Sequence, residues 1–171
     1  MRRLAATFFT VGILVLFSSS CSITLSGSSI PLEMKTINVG YFENNSPLVV
    51  GYLSQQFTEG LKDRIRSTTS LSIVEGDADG SMTGNITNYT IEPVSVQATN
   101  PNTPPLAGAE RLTITVNVTY KYKADKKVDF NQSFSEYADF SGDISTQEQQ
   151  LITAINKKLI DDIFNRAFAN W

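Results

Sequence analysis

Arg111-Leu112-Thr113-Ile114-Thr115-Val116-Asn117-Val118-Thr119-Tyr120-Lys121-Tyr122 decides the fold. Leu112, Ile114, Val116, Val118, Tyr120 and Tyr122 fall on one side of an extended chain, and Thr113, Thr115, Asn117, Thr119 and Lys121 fall on the other. A period of two is the spacing of a β-strand with one face on a core and one on water or a partner. Lys123-Ala124-Asp125-Lys126-Lys127 turns the chain back. Val128 to Ala138 is the return strand, with Phe130 and Phe134 on its apolar face.

Upstream of this hairpin, Ala98 to Ala109 is rich in proline and asparagine and reads as a mobile loop. Before it, Met82, Gly84 and Ile86 alternate, and Tyr89 and Ile91 continue on the opposite parity. That change of parity predicts a β-bulge near Thr87-Asn88, with Pro93 at a strand end. Leu71 to Val74 is a short strand after a helix over about Leu48 to Ser67, where Val50, Leu53, Phe57, Leu61 and Ile65 recur at helical spacing. Ser46 is the expected N-cap and Pro47 the first helical residue. Lys35 to Phe42 is the first strand. Downstream, Ser145-Thr146-Gln147-Glu148 has capping-box spacing, and a last helix runs from Thr146 almost to the end. The order predicts an α+β fold: a mostly antiparallel four- to five-stranded sheet with two helices packed on one face. The strand before the first helix and the strand after it should pair in parallel through a right-handed crossover.

The amino terminus reads differently. Arg2 and Arg3 precede an uncharged apolar run, Leu4 to Leu16, and then small residues, Ser18 to Ser20. This is the order of a secretory signal, and the apolar run is short against the ~20 residues of a membrane-spanning helix. Cys21 is the only cysteine of the 171 residues. Small residues just before a lone cysteine look like a bacterial lipobox, in which the thiol and the new amine are acylated. The alternative is an ordinary cleaved signal that leaves a free thiol. Three acyl chains would anchor the protein firmly, since each buried methylene adds ~0.8 kcal/mol. The expected organisation is a signal over 1–20, a lipidated tether over 21–30 and one domain over 31–171.

Composition excludes several function classes. The whole chain carries a formal charge of −3, and the signal removes two basic residues and no acidic one. An acidic balance argues against nucleic acid as a partner. The absence of histidine removes the commonest general base and the commonest metal ligand. No phosphate-cradling glycine loop is present, so the expectation is no enzyme, no cofactor and no metal. Glu75-Gly76-Asp77-Ala78-Asp79-Gly80 begins like a calcium loop but lacks its closing glutamate, and reads as a plain turn. Asn85-Ile86-Thr87, Asn88-Tyr89-Thr90, Asn117-Val118-Thr119 and Asn131-Gln132-Ser133 match the glycosylation acceptor pattern and read as polar strand faces. Asp161 and Asp162 beside Lys157 and Lys158 read as a solvated, ion-paired helix face.

Three features point to binding. Lys121, Lys123, Lys126 and Lys127 gather at one hairpin tip. They either protect an edge and keep a turn soluble, or dock anionic head-group phosphates. In the tail, Phe168 and Trp171 either complete the core or reach a partner protein. The loop Asn100 to Ala109 with Tyr120, Tyr122 and Tyr137 could form a site for a small molecule or glycan, on a lipoprotein without a barrel partner.

Several segments together resemble a known family. They are Ser29-Ile30-Pro31 with Lys35-Thr36-Ile37; Tyr41 to Val49; Leu53 to Glu59 with Leu61-Lys62-Asp63-Arg64; Gly84 to Tyr89; Arg111 to Ile114; and Asp162 to Asn165 with Ala169-Asn170-Trp171. The chain resembles the LPS-assembly lipoprotein family LptE (RlpB-like) over nearly all of its mature length. The resemblance implies a lipid-anchored protein on the periplasmic side of the outer membrane. It also implies a large β-barrel partner, LptD, which members of the family plug and whose folding they assist, and joint insertion of lipopolysaccharide into the outer leaflet. Basic residues of some members contact lipopolysaccharide. By charge and position the candidates here are Arg111, Lys121, Lys123, Lys126 and Lys127. Thr113, Thr115, Asn117 and Thr119 would suit a polar barrel lumen, and Phe168 and Trp171 are the remaining partner-interface candidates.

Overall fold

The computed structural model describes residues 30–94 and 108–169. Six strands and two long helices follow one another: β1 (Thr36–Val39), β2 (Glu43–Asn44), α1 (Leu53–Thr68), β3 (Ser72–Ile73), β4 (Gly80–Pro93), β5 (Ala109–Tyr122), β6 (Phe130–Ser141) and α2 (Glu148–Phe168). The sheet order is β3-β1-β4-β5-β6, with β2 pairing on β4. The fold is α+β, as the sequence predicts. The sheet is mixed, however, because β1 runs parallel to both β3 and β4, and β2 is also parallel to β4. The expected β1–β3 pairing through α1 is present.

The alternating strands form the centre. β4 and β5 pair antiparallel from Gly80↔Tyr122 to Pro93↔Glu110, and the register shifts between Ile86 and Asn88. That is the bulge the parity change predicts: Thr87 is the extra residue. β5 and β6 pair without interruption from Ala109↔Ser141 to Tyr120↔Phe130. The return strand starts at Phe130 instead of Val128, because Lys126–Val128 form a 3-10 turn capped by the Asp125 carboxylate, which accepts from Lys127 N. Of the proline-rich loop only Gly108 and Ala109 lie within the described residues. Gly108 has a φ of 78° and Ala109 already belongs to β5.

Both helices start later than their sequence signals suggest. Ser46 does not cap α1. Its backbone N–H donates to Asn44 Oδ1 at 3.0 Å and its hydroxyl to the Leu48 carbonyl, so Ser46-Pro47 closes a separate turn and Tyr52 occupies the N-cap. Ser145 likewise makes no capping box. Asp143 accepts from Ser145 N at 2.9 Å within a 3-10 turn over Ile144–Thr146, and α2 begins at Glu148. Glu148 accepts instead from the Tyr89 hydroxyl at 2.7 Å, which ties the start of α2 to β4.

One core lies between the helices and the inner sheet face. Phe57, Leu61 and Ile65 from α1, and Ile155, Leu159 and Ile163 from α2, meet Ile37, Ile86, Leu112, Ile114, Val116 and Val118, all fully buried. Each such side chain contributes ~1.5–3 kcal/mol by leaving water. Gly84 sits on this inner face because Phe42 covers it: a Cβ there would lie 2.7 Å from Phe42 Cε1 and overlap the Asn117 carbonyl oxygen. The turn before β4 is pinned by Asp79. Its carboxylate accepts from Lys35 N, Thr36 N and Thr36 Oγ1, each at 2.9 Å. These donors hold the Asp79 pKa below the ordinary carboxylate value, the Lys35 and Thr36 backbone bonds being the largest causes.

Candidate functional site

The helices cover one sheet face and leave the other free. Strand alternation determines which side chains stand there. On β5 they are Arg111, Thr113, Thr115, Asn117, Thr119 and Lys121, directly opposite Glu92, Thr90, Asn88, Asn85, Thr83 and Ser81 on β4. On the other side Arg111 to Thr119 face Asp139, Tyr137, Ser135, Ser133 and Asn131 on β6. Between the Arg111 row and the Lys121 row these three strands carry hydroxyls, amides and the Tyr137 ring, and the Glu43 carboxylate of β2 stands beside Asn85 at their edge.

These groups bond to one another along the rows. Thr115 and Ser135 share a hydroxyl–hydroxyl bond of 3.0 Å. Asn117 Nδ2 donates to Asn131 Oδ1 at 3.1 Å and to Ser133 Oγ at 3.3 Å. Asn131 Nδ2 donates to Thr119 Oγ1 at 3.0 Å. Each group keeps further donor or acceptor capacity for water or a partner. The result is a hydrogen-bonding surface three strands wide, its three columns uncharged between the Arg111 and Lys121 rows and bordered by Glu43 of β2. Thr113, Thr115, Asn117 and Thr119 are its middle column. The flanking columns from β4 and β6 were missed as partners of that column. Their signal was visible in the Asn-x-Thr/Ser repeats, because residues two apart on a strand share a face.

Lys121, Lys123, Lys126 and Lys127 are all exposed. The first three line a cleft of ≈ 350 Å³ where the turn Gly76–Ser81 meets the β5–β6 connection. Acidic groups share it. Asp77 pairs with Lys123, and Asp129 accepts from Tyr122 N at 2.8 Å. Among the described residues no carboxylate pairs with Lys121, Lys126 or Lys127, so these three ammonium groups are the free cations of the tip.

Arg111 does not join them. Ten residues of strand separate it from Lys121, or ~34 Å. Its Nε and Nη2 donate to the Asp139 carboxylate, and its guanidinium lies 3.7 Å from the Tyr137 ring centroid. The hydrogen bond to Asp139 is the main cause of a raised Arg111 pKa and of a lowered Asp139 pKa. The five basic candidates therefore divide into a lysine tip and a self-paired arginine at the opposite end of the sheet.

Phe168 takes the core alternative. It is fully buried, with its ring 5.8 Å from Tyr120 and 5.1 Å from Phe164, so it is not available to a partner. Trp171 and Cys21 lie outside the described residues. The aromatic ligand site also changes: Tyr120 and Tyr122 are buried on the helix side, and only Tyr137, 46% exposed, stands at the surface. Burial by the core pushes the Tyr120 pKa well above its usual value. Asp161 pairs with Arg64 of α1 at 3.2 Å and Lys158 with Glu136 of β6 at 3.8 Å, so both cross between elements where pairing along α2 was expected. Among the described residues no cluster of acidic side chains could hold a metal ion, and no helix is long and apolar enough to cross a membrane.

Several solved lipoprotein structures match the chain. A minor lipoprotein from Acinetobacter baumannii is 10% identical over 78% of this chain and 91% of its own, with a TM-score of 0.49. Lipoprotein B from Nitrosomonas europaea is 10% identical over 77% and 80%, with a TM-score of 0.49. The rare lipoprotein B from Shewanella oneidensis is 10% identical over 77% and 90%, with a TM-score of 0.45. No curated protein sequence matches the chain. Residues 34–167, nearly the whole described domain, match the family described as "LptE: Lipopolysaccharide-assembly", and the chain belongs to that family.

Proposed function

We propose that this protein is a non-catalytic, lipid-anchored subunit of the machinery that delivers lipopolysaccharide to the outer membrane. Residues 1–20 are the signal, Cys21 is acylated, residues 21–30 are the tether, and residues 31–171 form one domain held at the periplasmic face of the outer membrane. The domain sits in the polar lumen of the β-barrel LptD, takes part in inserting lipopolysaccharide and supports folding of the barrel.

The observation that carries this reading is the helix-free face. A lumen wall presents polar side chains and water. The columns of Thr, Ser and Asn can exchange hydrogen bonds with that wall without themselves burying unpaired charge. An obligate plug should bury ~2,000 Å² or more, and a face three strands wide together with its loops has the extent to contribute. The lysine tip supplies the second ingredient: Lys121, Lys126 and Lys127 can meet head-group phosphates by charge-assisted hydrogen bonds.

Controlled depletion tests the reading. Surface lipopolysaccharide and the steady-state level of the barrel should fall together as the protein is lost, and Cys21→Ala should reproduce much of that loss. Unchanged levels of both after depletion would refute it.

A further inference from the structure

β6 closes one side of the sheet, and among the described residues no strand pairs with its outer edge. Val94 N donates to the Ala109 carbonyl, so the odd-numbered residues of β5 turn their backbone groups toward β4 and the even-numbered ones toward β6. On β6 the even-numbered residues complete that ladder. Asn131, Ser133, Ser135, Tyr137 and Asp139 therefore turn their N–H and carbonyl groups outward, and all five are exposed. Among the described residues one side chain reaches these groups: Lys158 of α2 donates to the Tyr137 carbonyl at 3.3 Å.

A long regular edge is a template for pairing, and folded chains usually blunt it with a bulge, a proline or a lysine. Phe130–Ser141 has none of these. The opposite edge of the sheet is guarded by brevity, since β3 is only Ser72–Ile73. The charges of β6 are no guard, because Asp139 is paired with Arg111 and Glu136 lies 3.8 Å from Lys158.

The strand itself specifies what fits. A two-fold axis through an outward-facing residue lets one β6 pair antiparallel with another, and Ser135 is the outward-facing residue nearest the middle of Phe130–Ser141. In that register Ser135 meets Ser135, Ser133 meets Tyr137 and Asn131 meets Asp139 on the polar face. On the helix side Phe130 meets Phe140, Gln132 meets Ala138 and Phe134 meets Glu136. No like charges stand opposite one another, aromatic pairs form at both ends, and every outward N–H and carbonyl from Asn131 to Asp139 finds a partner. Moving the axis to Ser133 or Tyr137 shortens the paired stretch. We propose that two copies of this chain associate through their β6 edges, antiparallel about Ser135, into one continuous sheet. The Lys158 ammonium then yields the Tyr137 carbonyl to the Ser133 N–H of the other copy. This association is independent of the barrel partnership. An edge contact lies at the low end of specific interfaces, about 1,200 Å² or less, so the dimer should dissociate on dilution through the micromolar range.

The test uses the full-length protein, produced in excess and purified in mild detergent. Its mass by analytical ultracentrifugation should pass from dimer to monomer between about 100 μM and about 1 μM. Ser135→Cys should form an intermolecular disulfide on oxidation, because the Cα atoms of a hydrogen-bonded antiparallel pair stand ~5.5 Å apart. The wild type, whose one cysteine is Cys21, sets the background, and Thr83→Cys, on the same polar face but on β4, should not exceed it. Ser135→Lys opposes two ammonium groups across the axis and should weaken the dimer roughly fivefold or more, with a thermal midpoint close to that of the wild type. A wild type that stays monomeric at about 100 μM would overturn the proposal. So would a dimer that Ser135→Cys does not cross-link or that Ser135→Lys does not weaken.

Discussion

Arg111 on β5 and Asp139 on β6 form a two-pronged ion pair, with Nε and Nη2 at 2.6 and 2.9 Å from the two carboxylate oxygens. The guanidinium also rests on the Tyr137 ring. Two of its donors are thus engaged within the domain, whereas Lys121, Lys126 and Lys127 have no such partner. Lipopolysaccharide binding should follow that division. Charge reversal of the three free lysines should lower the affinity for purified lipopolysaccharide by roughly tenfold or more, and the loss should shrink as salt rises. Arg111→Lys keeps the net charge and should change affinity by less than about twofold, while the loss of the planar fork lowers the thermal midpoint slightly. A binding isotherm for each variant in low and high salt decides between them.

Phe168 provides a separate check on the core. Its ring is enclosed by Tyr120 and Phe164, so Phe168→Ala should cost ~3–5 kcal/mol in urea unfolding, the usual range for an aromatic side chain removed from a packed interior. A surface residue waiting for a partner would cost under ~0.5 kcal/mol.

What could be read from the sequence was what depends on neighbours in the chain. The alternation in Arg111 to Tyr122 and the parity change at Thr87 gave two long strands and their bulge without any knowledge of pairing. What depends on distant segments was hidden. β2 is only Glu43–Asn44, and it exists because Ile86 on β4 offers a carbonyl to Asn45 N at 2.9 Å. The capping signals at Ser46 and Ser145 were real local patterns, but Asn44 and Asp143 captured those residues in tighter turns. At the lysine tip the charge cluster was legible. The acidic groups that share its cleft were not, because Asp77 reaches Lys123 across 46 positions of sequence. The same limit applied to the polar face, where one strand's column was legible and the registers that build its neighbours were not.

Acid should loosen the turn between β3 and β4. Asp79 has a depressed pKa because it accepts from Lys35 and Thr36. A carboxylate with a lowered folded pKa contributes stability that is fully present above its unfolded value, 3.8. That contribution is lost as pH falls through the folded value. Asp139 and Asp143 act in the same direction, held down by Arg111 and by Ser145 respectively. Stability should therefore be flat from neutral pH down to about 4 on account of these groups and should decline below it. Asp79→Asn should lower stability at neutral pH and make the acid decline shallower. Urea titrations of both proteins between about pH 2.5 and pH 7 measure the effect.

The central claim is that the helix-free face meets the wall of a barrel, and a photo-activatable amino acid placed at Asn117, in the middle of that face, tests it most directly. Irradiation of living cells should join the protein to an outer-membrane β-barrel in high yield. The same probe at Ile114, which points into the core, should give none. A folded, surface-competent Asn117 variant that cross-links to no barrel would contradict the account.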